Sequence, residues 1–256
     1  MIDVLIGTVP FGEFDPEPIN LLRQANLDFA LNPYGQRLSE DNLLSLIGET
    51  RTLVAGTEPI TARVLDAAPH LQLISRVGVG LDNVDLAAAR DRQISITYTP
   101  EAPAPAVADL ALGLILSLLR GTHTANLLMH QGIWKRIHGK RISDVTLGVI
   151  GVGRIGKRVL RCLRALEPNR ILAHDIEPSD SESEFPDVEW TTKKSVLRES
   201  DVVTLHLPLT RRTYDYISFA EMAAMPPGAM IVNTSRGQVI NEKALIDNLA
   251  REHIGG

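Results

Sequence analysis

The sequence has a single cysteine, Cys162, among its 256 residues. No intrachain disulfide can form, which suits a reducing cytosol rather than an oxidising compartment. Basic residues are not in excess. The net charge is −5, so there is no electrostatic reason to expect nucleic acid or an acidic membrane as a partner. A secretory leader is not visible at the start, where Met1-Ile2-Asp3-Val4-Leu5-Ile6 has no basic stretch and too short an apolar run. A bilayer span is also lacking: the run Val107 to Leu119 is interrupted by Asp109 and Ser117 and is too short. There is no internal repeat, no low-complexity tract and no group of residues to assign to a metal. What remains is a cytoplasmic globular chain. With 44% hydrophobic and 22% charged residues, it can bury a core, as one large domain or two small ones.

The chain is organised around Val145 to Asp175. Val145 to Ile150 is short, apolar and β-branched, as expected of a strand buried on both faces. Gly151, Gly153 and Gly156 follow with G-x-G-x-x-G spacing, and Ile155, Val159, Cys162, Leu163 and Leu166 form one helical stripe, with Cys162 expected as a packed core thiol. A second strand, Ile171 to His174, ends at Asp175. In such a unit Gly151 allows the tight turn, Gly153 lets backbone approach a pyrophosphate, and Gly156 lets helix pack on strand. The helix N-terminus then faces the phosphates. Asp175 lies nineteen positions past Gly156, near the spacing of an acid that binds a ribose 2′-hydroxyl. Glu177, Asp180, Glu182, Glu184 and Asp187 follow with no basic residue before Lys193. A 2′-phosphate would meet negative charge there, so the expected cofactor is NAD rather than NADP. The competing reading is a glycine turn in an α/β protein with no ligand.

Before this unit, short apolar runs alternate with helical segments: Val4–Ile6, Leu27–Leu31, Thr52–Ala55, Leu73–Ser75 and Ile94–Thr97 against Glu17–Ala25, Ser39–Ile47, Ala62–Ala68 and Leu86–Arg92. Ser39 and Thr61 are placed to start helices. This alternation implies a parallel sheet covered on both faces. Pro100, Pro103 and Pro105 mark a domain boundary, giving domains over 1–98 and 99–256. Val107–Leu119 reads as a helix apolar all round, buried between domains. Residues 120–143 read as an extended arm, making about 106–143 a connecting helix and arm. After Asp175, strands are expected at Val202–His206 and Ala229–Asn233, with helices at Lys194–Glu199 and Glu242–Leu249.

Ligands of open α/β sheets bind outside the carboxyl ends of the strands, where Asp175, His206 and Arg236 fall. Arg236 could grip a substrate carboxylate with two parallel hydrogen bonds, or serve as an ordinary surface salt-bridge partner. Gly78 and Gly80, in Arg76 to Asp85, can form an anion nest, while Asp82 or Asp85 caps the helix behind.

Taken in order, Arg76 to Asp85, Gly151-Val152-Gly153-Arg154-Ile155-Gly156, His206-Leu207-Pro208-Leu209-Thr210 and Asn233-Thr234-Ser235-Arg236-Gly237 resemble the D-isomer-specific 2-hydroxyacid dehydrogenases, the family that includes phosphoglycerate dehydrogenase. The resemblance covers essentially the whole chain. It implies an α/β fold of two doubly wound parallel-sheet domains, a flavodoxin-like substrate domain and a Rossmann NAD domain. It further implies a homodimer built through the nucleotide domain and its arm, and hydride transfer between NAD and a small 2-hydroxy or 2-keto acid. By the same resemblance Arg236 is the catalytic arginine that binds the carboxylate, and Val77, Gly78 and Val79 form the substrate nest. Gly151, Gly153, Arg154, Ile155, Gly156, Asp175, His206, Pro208, Thr234 and Ser235 line the cofactor. The departure is at the end. The family's glutamate–histidine pair, the histidine being the general acid/base, is absent, so the chain reads as truncated and the Rossmann domain as incomplete. His253 lies only seventeen residues past Arg236, and is expected to cap the last helix, with Gly255 and Gly256 breaking it. A non-catalytic NAD-binding or sensing module, or a fragment that keeps the fold without function, are the alternatives. NADH-dependent turnover of 2-keto acids separates them from the enzyme.

Overall fold

The computed structural model describes residues 2–177 and 179–256, without the side chains of Ser179 and Asp180. Met1 of the N-terminal run and the Asp180 carboxylate of the acidic run therefore lie outside the described residues. The chain divides into two compact units, Met1–Pro103 and Ala104–Gly256.

In the first unit, the elements run β1 (Ile2–Ile6), α1 (Glu17–Gln24), β2 (Phe29–Leu31), α2 (Glu40–Ile47), β3 (Thr50–Ala55), α3 (Ala62–Asp66), β4 (Leu73–Arg76), α4 (Leu86–Asp91) and β5 (Ser95–Tyr98). The sheet is all parallel in the order β2-β1-β3-β4-β5, the flavodoxin-like arrangement. Helix starts follow from capping chemistry. The side chains of Ser39, Thr61 and Asp85 accept from the N–H groups of Asn42, Val64 and Ala88, satisfying donors that a helix leaves open. Leu5, Leu53 and Ile74 of the strands pack with Leu43, Ile47 and Val64. Each buried aliphatic side chain contributes about 1.5–3 kcal/mol. Register puts Ala55 beside Arg76 and Arg76 beside Tyr98, so the loops after β3, β4 and β5 leave one edge together.

The second unit contains α5 (Ala104–Arg120), α6 (Thr122–His130), β6 (Thr146–Ile150), α7 (Arg154–Arg164), β7 (Arg170–His174), α8 (Ser179–Glu184), β8 (Glu189–Trp190), α9 (Lys193–Glu199), β9 (Val202–Leu205), α10 (Phe219–Ala223), β10 (Met230–Asn233) and α11 (Glu242–Ala250). Its parallel sheet has the order β10-β9-β6-β7-β8, the 3-2-1-4-5 winding of a dinucleotide fold. All five residues of β6 are buried, as a central strand between two helical layers requires.

Five expectations are corrected here. α5 starts at Ala104 rather than Val107, because Pro105 falls in the first helical turn, where no N–H bond is lost. It is not buried all round. Ala108, Ala111, Ile115 and Leu119 face the core, while Leu110 and Leu114 are exposed. The arm is not wholly extended either, since Gly121 takes a left-handed φ of 61° and Thr122–His130 is helical. On α7 the buried stripe is Gly156, Val159, Leu160 and Leu163. Cys162 is only half-buried, one position round from the core face. Finally, His253 does not cap α11. The chain turns at Arg251, and Ile254 to Gly256 then run parallel to β10. Gly255 N–H donates to the Ala229 carbonyl at 2.8 Å, and Ile231 N–H to the Gly256 carbonyl at 2.8 Å. The outer edge of β10 is paired there. Among the described residues no single helix is long and apolar enough to cross a membrane.

Candidate functional site

The glycine turn does three separate jobs. Gly151 has φ +90°, and a Cβ there would stand 2.6 Å from the His206 carbonyl oxygen. A Cβ on Gly156 would drive into the Gly151 carbonyl. Gly153 differs: it is the N-cap of α7 with no side-chain cap, and nothing lies within 4 Å of where its Cβ would be. The first-turn N–H groups of an eleven-residue helix thus open onto space that even a methyl group would begin to fill. That is the surface an anionic pyrophosphate needs. Arg154 is exposed beside it and Ile155 half-buried.

Asp175 sits at the end of β7 against this turn. Its Oδ2 accepts from Val152 N–H at 2.5 Å and its Oδ1 from Glu177 N–H at 3.0 Å. The acidic run beyond it does not act as one block. Glu184 pairs with Lys157 and Arg161, and the Arg161 hydrogen bond holds its carboxyl below the usual range. Asp187 pairs with Arg164 at 2.6 Å. Among the described residues, Asp175, Glu177 and Glu182 of this run make no ion pair, and Asp175 is the one bonded to the glycine turn. Lys193 is also committed, to Glu221 at 3.0 Å and the Tyr216 carbonyl at 2.6 Å.

The next two strand ends carry the other candidates. β9 and β10 pair with Asn233 opposite Leu205, so His206 and Thr234 leave adjacent strands. His206 Nε2 lies 3.0 Å from Thr204 Oγ1. Its Nδ1 and Thr234 Oγ1 are buried and have no hydrogen-bond partner among the described residues. Two orphaned polar atoms at neighbouring strand ends are what a ligand would satisfy. Burial pushes the His206 imidazole down to about 4, so it is neutral near pH 7. The unfolded chain then binds the extra proton between about pH 4 and 6.5, and stability rises with pH across that window. At full effect this amounts to about 3 kcal/mol. His206→Gln is expected to flatten the pH dependence of the melting temperature between pH 4 and 6.5; an unchanged slope would place the imidazole in solvent.

Asn233 organises the turn that carries Ser235 and Arg236. Its Oδ1 accepts from Ser235 N–H at 3.0 Å and Ser235 Oγ at 2.7 Å, and its Nδ2 donates to the Arg236 carbonyl at 2.8 Å. Arg236 is half-buried and donates Nη1 to the Ser235 carbonyl at 2.9 Å. An Asn at a strand end is a recognisable turn former, yet this organising role was not read from the sequence. His253 is elsewhere, with Nε2 3.0 Å from the Met222 carbonyl.

In the first unit, Val77 N–H is spent on the Ala55 carbonyl at 2.8 Å, and Gly78 N–H on Thr99 Oγ1 at 2.8 Å. The expected nest therefore does not include these two donors. Gly78 still needs its glycine, with φ +130° and Arg76 Nη1 2.8 Å from a would-be Cβ. Asp85 caps α4, as one of the two readings of this loop required. Among the described residues no group of His, Cys, Asp or Glu could hold a metal.

Residues 112–256 match the family described as D-isomer specific 2-hydroxyacid dehydrogenase, NAD binding domain. The chain belongs to this family. It is 38% identical over 218 residues to hydroxypyruvate reductase of Thermotoga maritima, covering 84% of this chain and 70% of that protein. It is 37% identical to D-3-phosphoglycerate dehydrogenase of Methanocaldococcus jannaschii, covering 83% of this chain and 41% of that one. The crystal structure of D-lactate dehydrogenase from Aquifex aeolicus complexed with NAD and lactic acid superposes with a TM-score of 0.86 at 25% identity, covering 99% of this chain and 75% of that one. The cofactor of the family's second domain is NAD, and the open cradle at Gly153 fits it.

Proposed function

We propose that this chain works in hydride transfer between NAD and a small 2-hydroxy or 2-keto acid. The observation that carries the reading is the uncapped start of α7 at Gly153, with Asp175 bonded to the same turn. Arg154, Ile155 and the α7 N–H groups would hold the pyrophosphate, Asp175 the adenosine ribose, and His206, Pro208, Thr234 and Ser235 the remainder of the cofactor. Bound NAD accepts or supplies the hydride. Arg236 orients the acid through its carboxylate. A neutral His206 can accept or donate a single hydrogen bond from Nδ1, but it is a poor proton source at pH 7.

Arg236→Lys is the direct test. A charge-assisted contact to a carboxylate is worth about 1.5–3 kcal/mol, and lysine lacks the planar fork. The expected result is a KM for the 2-keto acid raised by at least about tenfold, with NADH affinity unchanged. A parallel loss of NADH affinity would place the arginine on the cofactor instead. NADH binding without turnover of any 2-keto acid would favour a sensing module.

The same reading includes a cytoplasmic homodimer built on α5, α6 and the arm. Leu110, Leu114, Leu127, Met129, Ile133 and Trp134 are all exposed there, more apolar surface than a helix and arm ordinarily leave in water. Sedimentation velocity is expected to show a dimer that Leu110→Asp converts to monomer; a wild-type monomer at micromolar concentration would reject this assembly.

A further inference from the structure

β7 and β8 leave the second sheet side by side. Ala173 is paired with Trp190. Thr191 N–H donates to the Ala173 carbonyl at 2.9 Å, and His174 Nδ1 lies 3.0 Å from the Thr191 carbonyl. Asp175 follows one of these strands, and Lys193, the first residue of α9, follows its neighbour at the same carboxyl edge. A positive charge thus leaves the sheet beside the strand that carries the acid of the glycine turn.

Lys193 is not given to solvent. Its Nζ donates to the Tyr216 carbonyl at 2.6 Å and to Glu221 Oε1 at 3.0 Å, and it stands 3.9 Å from the centre of the Tyr216 ring. The two charged side chains are only 25% and 26% exposed, so the pair is shielded from solvent more than a surface salt bridge is. Glu221 is fixed from its other oxygen, where Oε2 accepts from Ser218 N–H at 3.1 Å in the capping box that starts α10. Burial opposes the charge of Glu221, yet Lys193 and the Ser218 N–H outweigh it and hold the carboxyl below the usual range. The Tyr216 hydroxyl is pushed up by burial and then by the charges of Glu221 and Asp175. The ring that seats Lys193 therefore lies within the field of Asp175.

We propose that Glu221 is a positioning residue for cofactor choice: by clasping Lys193 against Tyr216 it cancels a cation that would otherwise favour a 2′-phosphate near Asp175. This rests on the NAD reading above and deepens it. An ammonium is a compact point charge, so an uncompensated Lys193 would work against the repulsion that Asp175 exerts. Paired, the two charges sum to zero, and discrimination is left to Asp175. Specificity of this kind depends as much on withholding attraction from the wrong ligand as on contacts to the right one.

The experiment is fluorescence titration of the full chain with NADH and with NADPH, in the wild type, Glu221→Gln, Lys193→Met and the double variant. The quantity read is the ratio of the two dissociation constants. Glutamine keeps an oxygen for the Ser218 N–H, as a capping box allows, and methionine keeps an apolar stem against Tyr216. Glu221→Gln leaves a positive charge uncompensated and is expected to shrink the NADH preference by at least about threefold. Lys193→Met leaves a negative charge uncompensated and is expected to enlarge the preference by about the same factor. The double variant has no charge at either position and is expected to return to the wild-type ratio. Both single shifts are expected to fade at high ionic strength. Lys194, Arg211 and Arg212 are exposed and unchanged in all four proteins, so they cancel in the comparison. A clasp that only held the fold would move both single variants the same way, because each breaks the same contact. The inference is overturned by that result, by two single variants with the wild-type ratio, or by a double variant that does not return. Should Glu221→Gln fail to fold, the opposite shift of Lys193→Met carries the test. A wild type that binds neither dinucleotide would instead overturn the NAD reading of the second unit, on which this inference depends.

Discussion

Gly153→Ala is expected to fold like the wild type and to lose most of its NADH affinity, whereas Gly156→Ala is expected to lose the fold of the glycine turn itself. The two positions differ by three residues and look equivalent in the motif. Gly153 has φ −79°, which alanine adopts without strain, and its Cβ would meet nothing within 4 Å. The added methyl then stands only in the path of the pyrophosphate. A loss of at least about tenfold in NADH affinity, or about 1.4 kcal/mol, is the expected size. At Gly156 the Cβ would collide with the Gly151 carbonyl, which is backbone and has no rotamer to escape into. Overpacking of this kind costs about 1–3 kcal/mol or more, so the melting temperature falls whether or not NADH is present. Thermal melts of both variants with and without NADH separate the two effects. A destabilised apo Gly153→Ala, or a Gly156→Ala that melts like wild type, would contradict this division of roles.

The second large effect is cofactor choice. NADH is expected to bind at least about tenfold more tightly than NADPH, because the 2′-phosphate would be brought against Asp175, which is bonded to the glycine turn, with Lys193 tied to Glu221. Asp175→Asn is the sharper variant than Asp175→Ala. It keeps one oxygen, enough to accept from one of the Val152 and Glu177 N–H groups, while removing the charge, so more of the turn persists than in Asp175→Ala and the preference shrinks. Asp175→Ala also removes the acceptor and is expected to weaken NADH itself. Equal affinity for NADH and NADPH in the wild type would remove Asp175 as the discriminating group, and fluorescence titration of the four combinations decides it.

By itself, the sequence determined the elements whose physics is local. Strands β6, β7, β9 and β10 were legible because each is a short β-branched run ended by a turn residue. The caps at Ser39, Thr61 and Asp85 were legible because a side chain two or three positions ahead of a free N–H is enough to satisfy it. The glycine spacing and Asp175 were legible for the same reason: strand, turn, helix and strand follow one another directly. The two-residue β8 and five-residue α10 were not, since elements so short have no periodicity and form only because the sheet offers a partner. The helical part of the arm was missed where a polar stretch outweighed Ala125 to Met129. Tertiary structure alone decided which charges count. Glu184 and Asp187 look like part of an acidic wall in the sequence, and α7 neutralises them with Lys157, Arg161 and Arg164. His253 looked like a helix cap, and the pairing of Ile254 to Gly256 with β10 turned it toward Met222. Nothing in the sequence singles out Glu58, a loop acid with only 1% of its surface exposed. Only the convergence of β1 and β3, each followed by a glycine, makes the buried slot that holds it, because burial and charge pairing depend on residues far apart in the chain.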